Sequence, residues 1–319
     1  MNLDCRTDRR GMLAWAGGAA VAGAAAWQAC AQPARGADRP KDEPFGYCLN
    51  MGTVMGHKLT LDREIELAAR AGYNGIEPWT RSIKAYVEGG GSAKDLAKRA
   101  ADAGLSVEGA IGFFDWIVDE PDRRAKALEQ ARQEMELVAS IGGRRIAAPP
   151  AGATNQKVDL LAAAERYAAL VDIGRQVGVV PAAEIWGRSQ TMGRLGEAAL
   201  VAIHCGRKEA CILPDVFHMY RGGSAFEGLR LLSAQAIAVF HVNDYPADPP
   251  REQSTDAHRV MPGDGVAPLG QIFRDLAAIG YRGMISLELF NRDYWKMEPL
   301  QVARIGLEKM RSAVRKALA

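Results

Sequence analysis

Four residues far apart in the chain share one local setting. Glu184 stands in Pro-Ala-Ala-Glu-Ile-Trp-Gly and Asp215 in Ile-Leu-Pro-Asp-Val-Phe-His; His241 stands in Val-Phe-His-Val-Asn-Asp and Glu288 in Ile-Ser-Leu-Glu-Leu-Phe. Each lies in a short apolar run. A buried charge without a partner is very costly, and any one of the four alone reads equally well as a buried polar residue paired to a neighbour. As a set they read differently. Three carboxylates converging at one level repel one another unless a cation sits among them. Oxygen donors with one imidazole suit one divalent ion: Mn, Mg, Co or Zn.

Convergence requires a scaffold that brings the four runs together. Short apolar runs alternate with amphipathic stretches along the chain, the pattern of a parallel α/β fold. Strands are expected at 45–51, 75–79, 106–111, 145–149, 179–186, 210–216, 236–243 and 284–290. Helices are expected between and after them, at 61–71, 93–103, 122–141, 158–177, 195–205, 226–233, 269–279 and 299–318. Glycine follows five of these helices, where a left-handed cap residue is needed. Eight strand–helix units in about 275 residues match a single closed (β/α)8 TIM barrel better than an open sheet. In such a barrel the working side chains come from the C-terminal ends of strands. The four residues fall at the ends of the fifth to eighth. No G-x-G-x-x-G follows the first strand, so a dinucleotide site has no support. The long polar connection 244–267 and the segment 115–121 are candidates to cover the site.

At these residues the chain resembles the xylose isomerase-like barrel superfamily, which includes ketose 3-epimerases and inosose isomerases. The likeness covers roughly residues 44–317. It implies one metal held by Glu184, Asp215, His241 and Glu288. Asp215-Val-Phe-His218 resembles the family's Asp-x-x-His. Arg259, before a Pro-Gly-Asp-Gly turn, resembles its arginine after the strand-seven histidine, with Arg251 as competitor. Gly75-Ile76-Glu77 resembles its Gly-x-Glu. The implied activity is sugar isomerisation or epimerisation by enediolate proton transfer, on a free sugar, polyol or keto-sugar. Glu184 and Glu288 would exchange the proton. His218 and Arg259 would hold substrate oxygens, and Glu77 a hydroxyl. Trp79 and Trp116, with Phe113 and Trp186, would wall the ring; barrel-mouth packing explains Phe113 and Trp186 equally well. The same site also suits a keto-sugar dehydratase or keto-glycoside lyase. A non-catalytic exported sugar-binding barrel is the alternative from another class. A trinuclear nuclease site is disfavoured because the chain has only five histidines.

The N-terminus reads as a separate segment. Arg9-Arg10-Gly-Met-Leu precedes an Ala/Gly-rich apolar stretch, and Ala29-Cys30-Ala31 fits a signal cut. Residues 1–31 are expected to be a twin-arginine-type signal peptide, 32–43 a linker, and 44–319 the barrel, exported and periplasmic; retention as an anchor stays open. The formal net charge is only +2 with no long basic run, which argues against a nucleic-acid partner. The expected partner is a small carbohydrate, with no membrane contact after cleavage and a homo-oligomer left open. Cys48, Cys205 and Cys211 remain in the mature chain; Cys205 and Cys211 either pair or sit as buried thiols.

Overall fold

The computed structural model describes residues 43–319. The expected signal peptide and all but the last linker residue lie outside these. Eight parallel strands appear: β1 Gly46–Asn50, β2 Gly75–Glu77, β3 Ser106–Val107, β4 Arg145–Ala148, β5 Val180–Glu184, β6 Ile212–Leu213, β7 Phe240–Val242 and β8 Met284–Leu287. They form two arcs, β3-β2-β1-β8-β7 and β4-β5-β6. Backbone bonds close the gaps: Ala147 N donates to Ala110 O at 2.9 Å, and Ala238 N donates to Ile212 O at 3.0 Å. With β8 paired to β1, the ring is complete. The chain is a (β/α)8 barrel, as expected.

The strands are shorter than the apolar runs that announced them. The runs continue past the ladder into the barrel mouth, where Trp79, Ile111, Trp186 and Phe290 turn to a cavity. Nine α-helices flank the ring among the described residues: α1 Leu61–Ala71, α2 Thr80–Glu88, α3 Ala93–Asp102, α4 Pro121–Ser140, α5 Leu160–Val177, α6 Leu195–His204, α7 Val216–Gly222, α8 Leu269–Ala278 and α9 Pro299–Leu318. Their apolar faces follow the helical period. In α1 the buried Leu61, Ile65 and Ala68 stand one turn apart. In α5 the Asp159 carboxylate caps Leu161 N and Ala162 N, and Gly178 stops the helix at φ 86°. All five glycines expected to end helices have positive φ.

Helices α2 and α7 were not foreseen, because α2 begins directly after a strand-like run and α7 on the last residue of one. The segment expected as a helix at 226–233 is a 3-10 turn, Phe226–Leu231. The three cysteines are buried and free, so Cys205 and Cys211 do not pair. Among the described residues no helix is long and apolar enough to cross a membrane.

Candidate metal centre

The four candidate ligands gather at one end of the barrel, each delivered by its own element. Glu184 is the last residue of β5. Asp215 follows β6 and caps α7, its Oδ1 accepting from His218 N at 2.7 Å. His241 is the middle residue of β7, bridged to Asp215 through the backbone. Glu288 comes directly after β8. All four are buried. The loop after β5 meets α7 backbone to backbone. A Cβ on Gly222 would lie 1.8 Å from Gly193 O, so only glycine permits this approach.

Glu184, His241 and Glu288 place one ligand atom each within 4.8 Å of one another. Asp215 stands beside this group, engaged elsewhere. Its Oδ2 accepts from Asn243 Nδ2 at 2.8 Å and Arg259 Nη1 at 2.9 Å. The same Arg259 nitrogen donates to Glu288 Oε2 at 2.8 Å, and Arg259 Nη2 to Asp256 Oδ1 at 2.7 Å. His241 is held between two carboxylates, with Nδ1 3.2 Å from Glu288 Oε2 and Nε2 3.0 Å from Glu77 Oε2. Glu288 Oε1 accepts from Asn50 Nδ2 at 3.0 Å. Among the four candidate ligands, Glu184 Oε2 is buried with no hydrogen-bond partner.

These environments drive the two glutamates apart. Burial, then the charge of Glu288, pushes the Glu184 carboxyl up to about 8. Burial acts on Glu288 in the same direction. The charge and hydrogen bond of His241, with the Arg259 charge, overcome it and hold that carboxyl well below the usual range. Burial, then the Arg259 charge, lowers His218. Arg259 Nη2 lies 3.1 Å from His218 Nε2 and cannot accept, so Nε2 accepts and Nδ1 carries the proton. That Nδ1 is a buried donor without a partner.

The residues fit a divalent cation. Three carboxylates and an imidazole are hard-to-borderline donors, and an orphaned carboxylate oxygen stands where a positive charge would satisfy it. Glu184 and Glu288 of this group line a cavity of about 380 Å³, walled by Trp79, Phe113, Trp186, Phe290 and Trp295.

Three sequence expectations meet different surroundings. Glu77 is buried against His241 and does not line the cavity, so it is placed to hold a histidine rather than a sugar hydroxyl. Trp116 is in the core. Its Nε1 donates to Pro149 O at 2.7 Å, and its ring packs 5.7 Å from Tyr167, because the segment after β3 folds inward. Arg251 is exposed and pairs with Glu252, which leaves Arg259 as the arginine at the centre. Trp79 and His218 line the cavity, as do Phe113 and Trp186. Asn50, Asn243, Asp256 and Trp295 were missed. Asn50 ends β1 in an apolar run, a signal of the kind that exposed Glu184. Asn243, in the run expected as the seventh strand, carried the same signal; Asp256 and Trp295 belong to connections whose path no periodicity reveals.

A family model described as the xylose isomerase-like TIM barrel matches residues 65–313. An inosose isomerase of Bacillus velezensis is 28% identical over 277 residues, covering 84% of this chain and 97% of that protein. A 3-dehydroshikimate dehydratase of Pseudomonas aeruginosa is 27% identical over 240 residues, 73% of this chain but 36% of that protein. The solved structure of the IolI protein with a bound zinc atom matches with a TM-score of 0.78 at 23% identity, covering 86% of this chain and 99% of that one. This last likeness shows the fold alone.

Proposed function

The chain belongs to the xylose isomerase-like TIM barrel family, and from that premise we propose that it is a divalent-metal-dependent isomerase or epimerase of a sugar, polyol or keto-sugar. One observation carries the reading: two buried glutamates and a histidine bring ligand atoms within 4.8 Å of one another, and both glutamates line an aromatic-walled cavity. Glu184, Asp215, His241 and Glu288 would hold the ion. When bound, it supplies positive charge that polarises a carbonyl and steadies negative charge arising as a neighbouring C–H gives up its proton.

The protein's own groups do the rest. Glu288, kept ionised by His241 and Arg259, is the acceptor for the proton leaving carbon. Glu184, across the site from it, is the group that returns one. His218 Nδ1–H, a donor without a protein partner, offers its proton to a substrate oxygen. The aromatic walls exclude water from the exchanging proton. Loss of a β-hydroxyl after the same first proton transfer would give dehydration instead; the dehydratase relative supports keeping that second reading.

The test is metal content and proton exchange together. The purified protein is expected to hold about one divalent ion per chain and to wash deuterium from solvent into a ketose. Glu184→Gln should keep the fold and lose at least about 100-fold in exchange. Exchange at the wild-type rate in that variant, or no ion bound after reloading, refutes the reading.

A further inference from the structure

The two glutamate-bearing strands leave the barrel with the same spacing. One reads Glu184-Ile-Trp186-Gly-Arg188, the other Glu288-Leu-Phe290-Asn-Arg292. All six side chains at the first, third and fifth places line the one cavity, the first segment turning at Gly187-Arg188, where Ser189 N donates to Trp186 O at 2.7 Å. The intervening Ile185 and Leu289 are fully buried. Exposure rises along both segments, from buried glutamate through half-buried aromatic to exposed arginine. Each segment therefore marks the same axis: reacting carboxyl at the floor, aromatic ring above it, guanidinium at the rim.

The rim is positive and lacks a protein counterion. Among the described residues Arg188 and Arg292 make no ion pair, whereas Arg123, Arg166, Arg175 and Arg207 do. Arg188 lies over the Trp186 ring, 5.5 Å from its centroid. The acids nearby are committed elsewhere: Asp256 to Arg259, and Asp293 to Lys296. Glu184 and Glu288 are at the other end of the cavity.

We propose that the substrate carries an oxyanion, a carboxylate or a phosphate, at the end remote from its reacting carbons. Arg188 and Arg292 take that group from two sides of the mouth, each able to offer paired N–H donors. A ring or apolar stretch lies between Trp186 and Phe290. This inference names the substrate class of the site just proposed and rests on that reading.

The test uses the metal-loaded full chain and its R188Q/R292Q double variant; both replaced side chains are exposed, so the fold is retained. Probes are glucuronate, glucose 6-phosphate and glucose. Binding is read by quenching of tryptophan fluorescence, since Trp79, Trp186 and Trp295 line the cavity; deuterium incorporation is read separately. At least one anion is expected to bind 10-fold or more tighter than glucose. That advantage should shrink with salt and vanish in the double variant. The anion that gains identifies its source, carboxylate or phosphate. Equal binding of all three, an advantage that survives in the variant, or no binding overturns the inference. Deuterium exchange into glucose in both proteins without any anion advantage sinks the anion site while the isomerase reading stands. Arginine-dependent anion binding without exchange into any sugar does the reverse.

Discussion

Replacing Arg259 with Met removes a buried positive charge while keeping a side chain of similar length. The wild-type guanidinium is fully buried and bonds Asp215 at 2.9 Å, Glu288 at 2.8 Å and Asp256 at 2.7 Å. Removing one partner of a buried ion pair costs about 3–5 kcal/mol. Asp256 is 35% exposed at its side chain and contributes little after solvent screening. Asp215 and Glu288 keep other donors, namely His218 N and Asn243 for the first, Asn50 and His241 for the second. Either can also escape by taking a proton. At pH 7 that costs about 1.4 kcal/mol for each pH unit above an ordinary carboxylate value near 4, so about 4 kcal/mol caps the loss per group. We therefore expect the metal-free variant to lose about 4 kcal/mol at pH 7, or roughly 8 °C in Tm for a chain of this size. The sign with pH follows from Glu288, whose carboxyl is held below its ordinary range. Its stabilisation is present above the unfolded carboxylate value and is lost as pH falls through the folded one. That wild-type stabilisation is still present at pH 5, but protonating a freed carboxylate there costs the variant only about 1.4 kcal/mol, so the gap between variant and wild type should narrow to roughly 3 °C. A bound divalent ion restores positive charge at the same carboxylates, so saturating Mn²⁺ should close more than half of the gap at pH 7. Thermal melts of both proteins in chelator and in Mn²⁺ measure all of this. A gap indifferent to both pH and metal would refute the idea that Arg259 and the ion neutralise the same charges.

Glu77→Gln leaves the barrel folded but weakens the hold on the His241 Nε2 proton, and metal affinity measured by competition with a chelator should fall by about 10- to 100-fold; unchanged affinity would show that Glu77 does not orient the histidine. Asp244 accepts four backbone N–H bonds, from Tyr245, Gly263, Gly265 and Ala267, and so folds the connection that carries Asp256 and Arg259. Asp244→Ala should expose the stretch 245–267 to limited proteolysis while far-ultraviolet circular dichroism stays native, and a cleavage pattern like the wild type's would count against this role. Burial pushes Glu64 up to about 8 from 4.5, so its stabilisation is full below about pH 4.5 and is lost as pH rises toward 8. Glu64→Gln should flatten the stability profile across that window by up to a few kcal/mol, and parallel profiles for the two proteins would rule it out.

Much of the barrel was written locally. Eight apolar runs, amphipathic stretches between them and glycines after five helices are patterns of near neighbours, and each element forms where its own residues dictate. The placement of Glu184, Asp215, His241 and Glu288 at strand ends followed from the same patterns, since a polar residue in an apolar run is visible without any knowledge of its partner. Strand lengths were overestimated for a related reason. Trp79, Ile111, Trp186 and Phe290 have the hydrophobicity of strand residues, but they serve the cavity wall, and the sequence does not distinguish an apolar residue facing a helix from one facing a mouth.

The chain's own pattern thus settled the fold class and the four residues at the strand ends, because hydrophobic periodicity and breaker residues act over a few positions. Tertiary structure alone decided what each polar group touches. It set Glu77 against His241, sent Trp116 into the core, chose Arg259 over Arg251 and aligned Arg188 with Arg292 above two glutamates a hundred residues apart. Those outcomes depend on ring closure, on the course of long connections and on mutual burial of charge, and these are properties of distance in space that spacing along a chain does not carry.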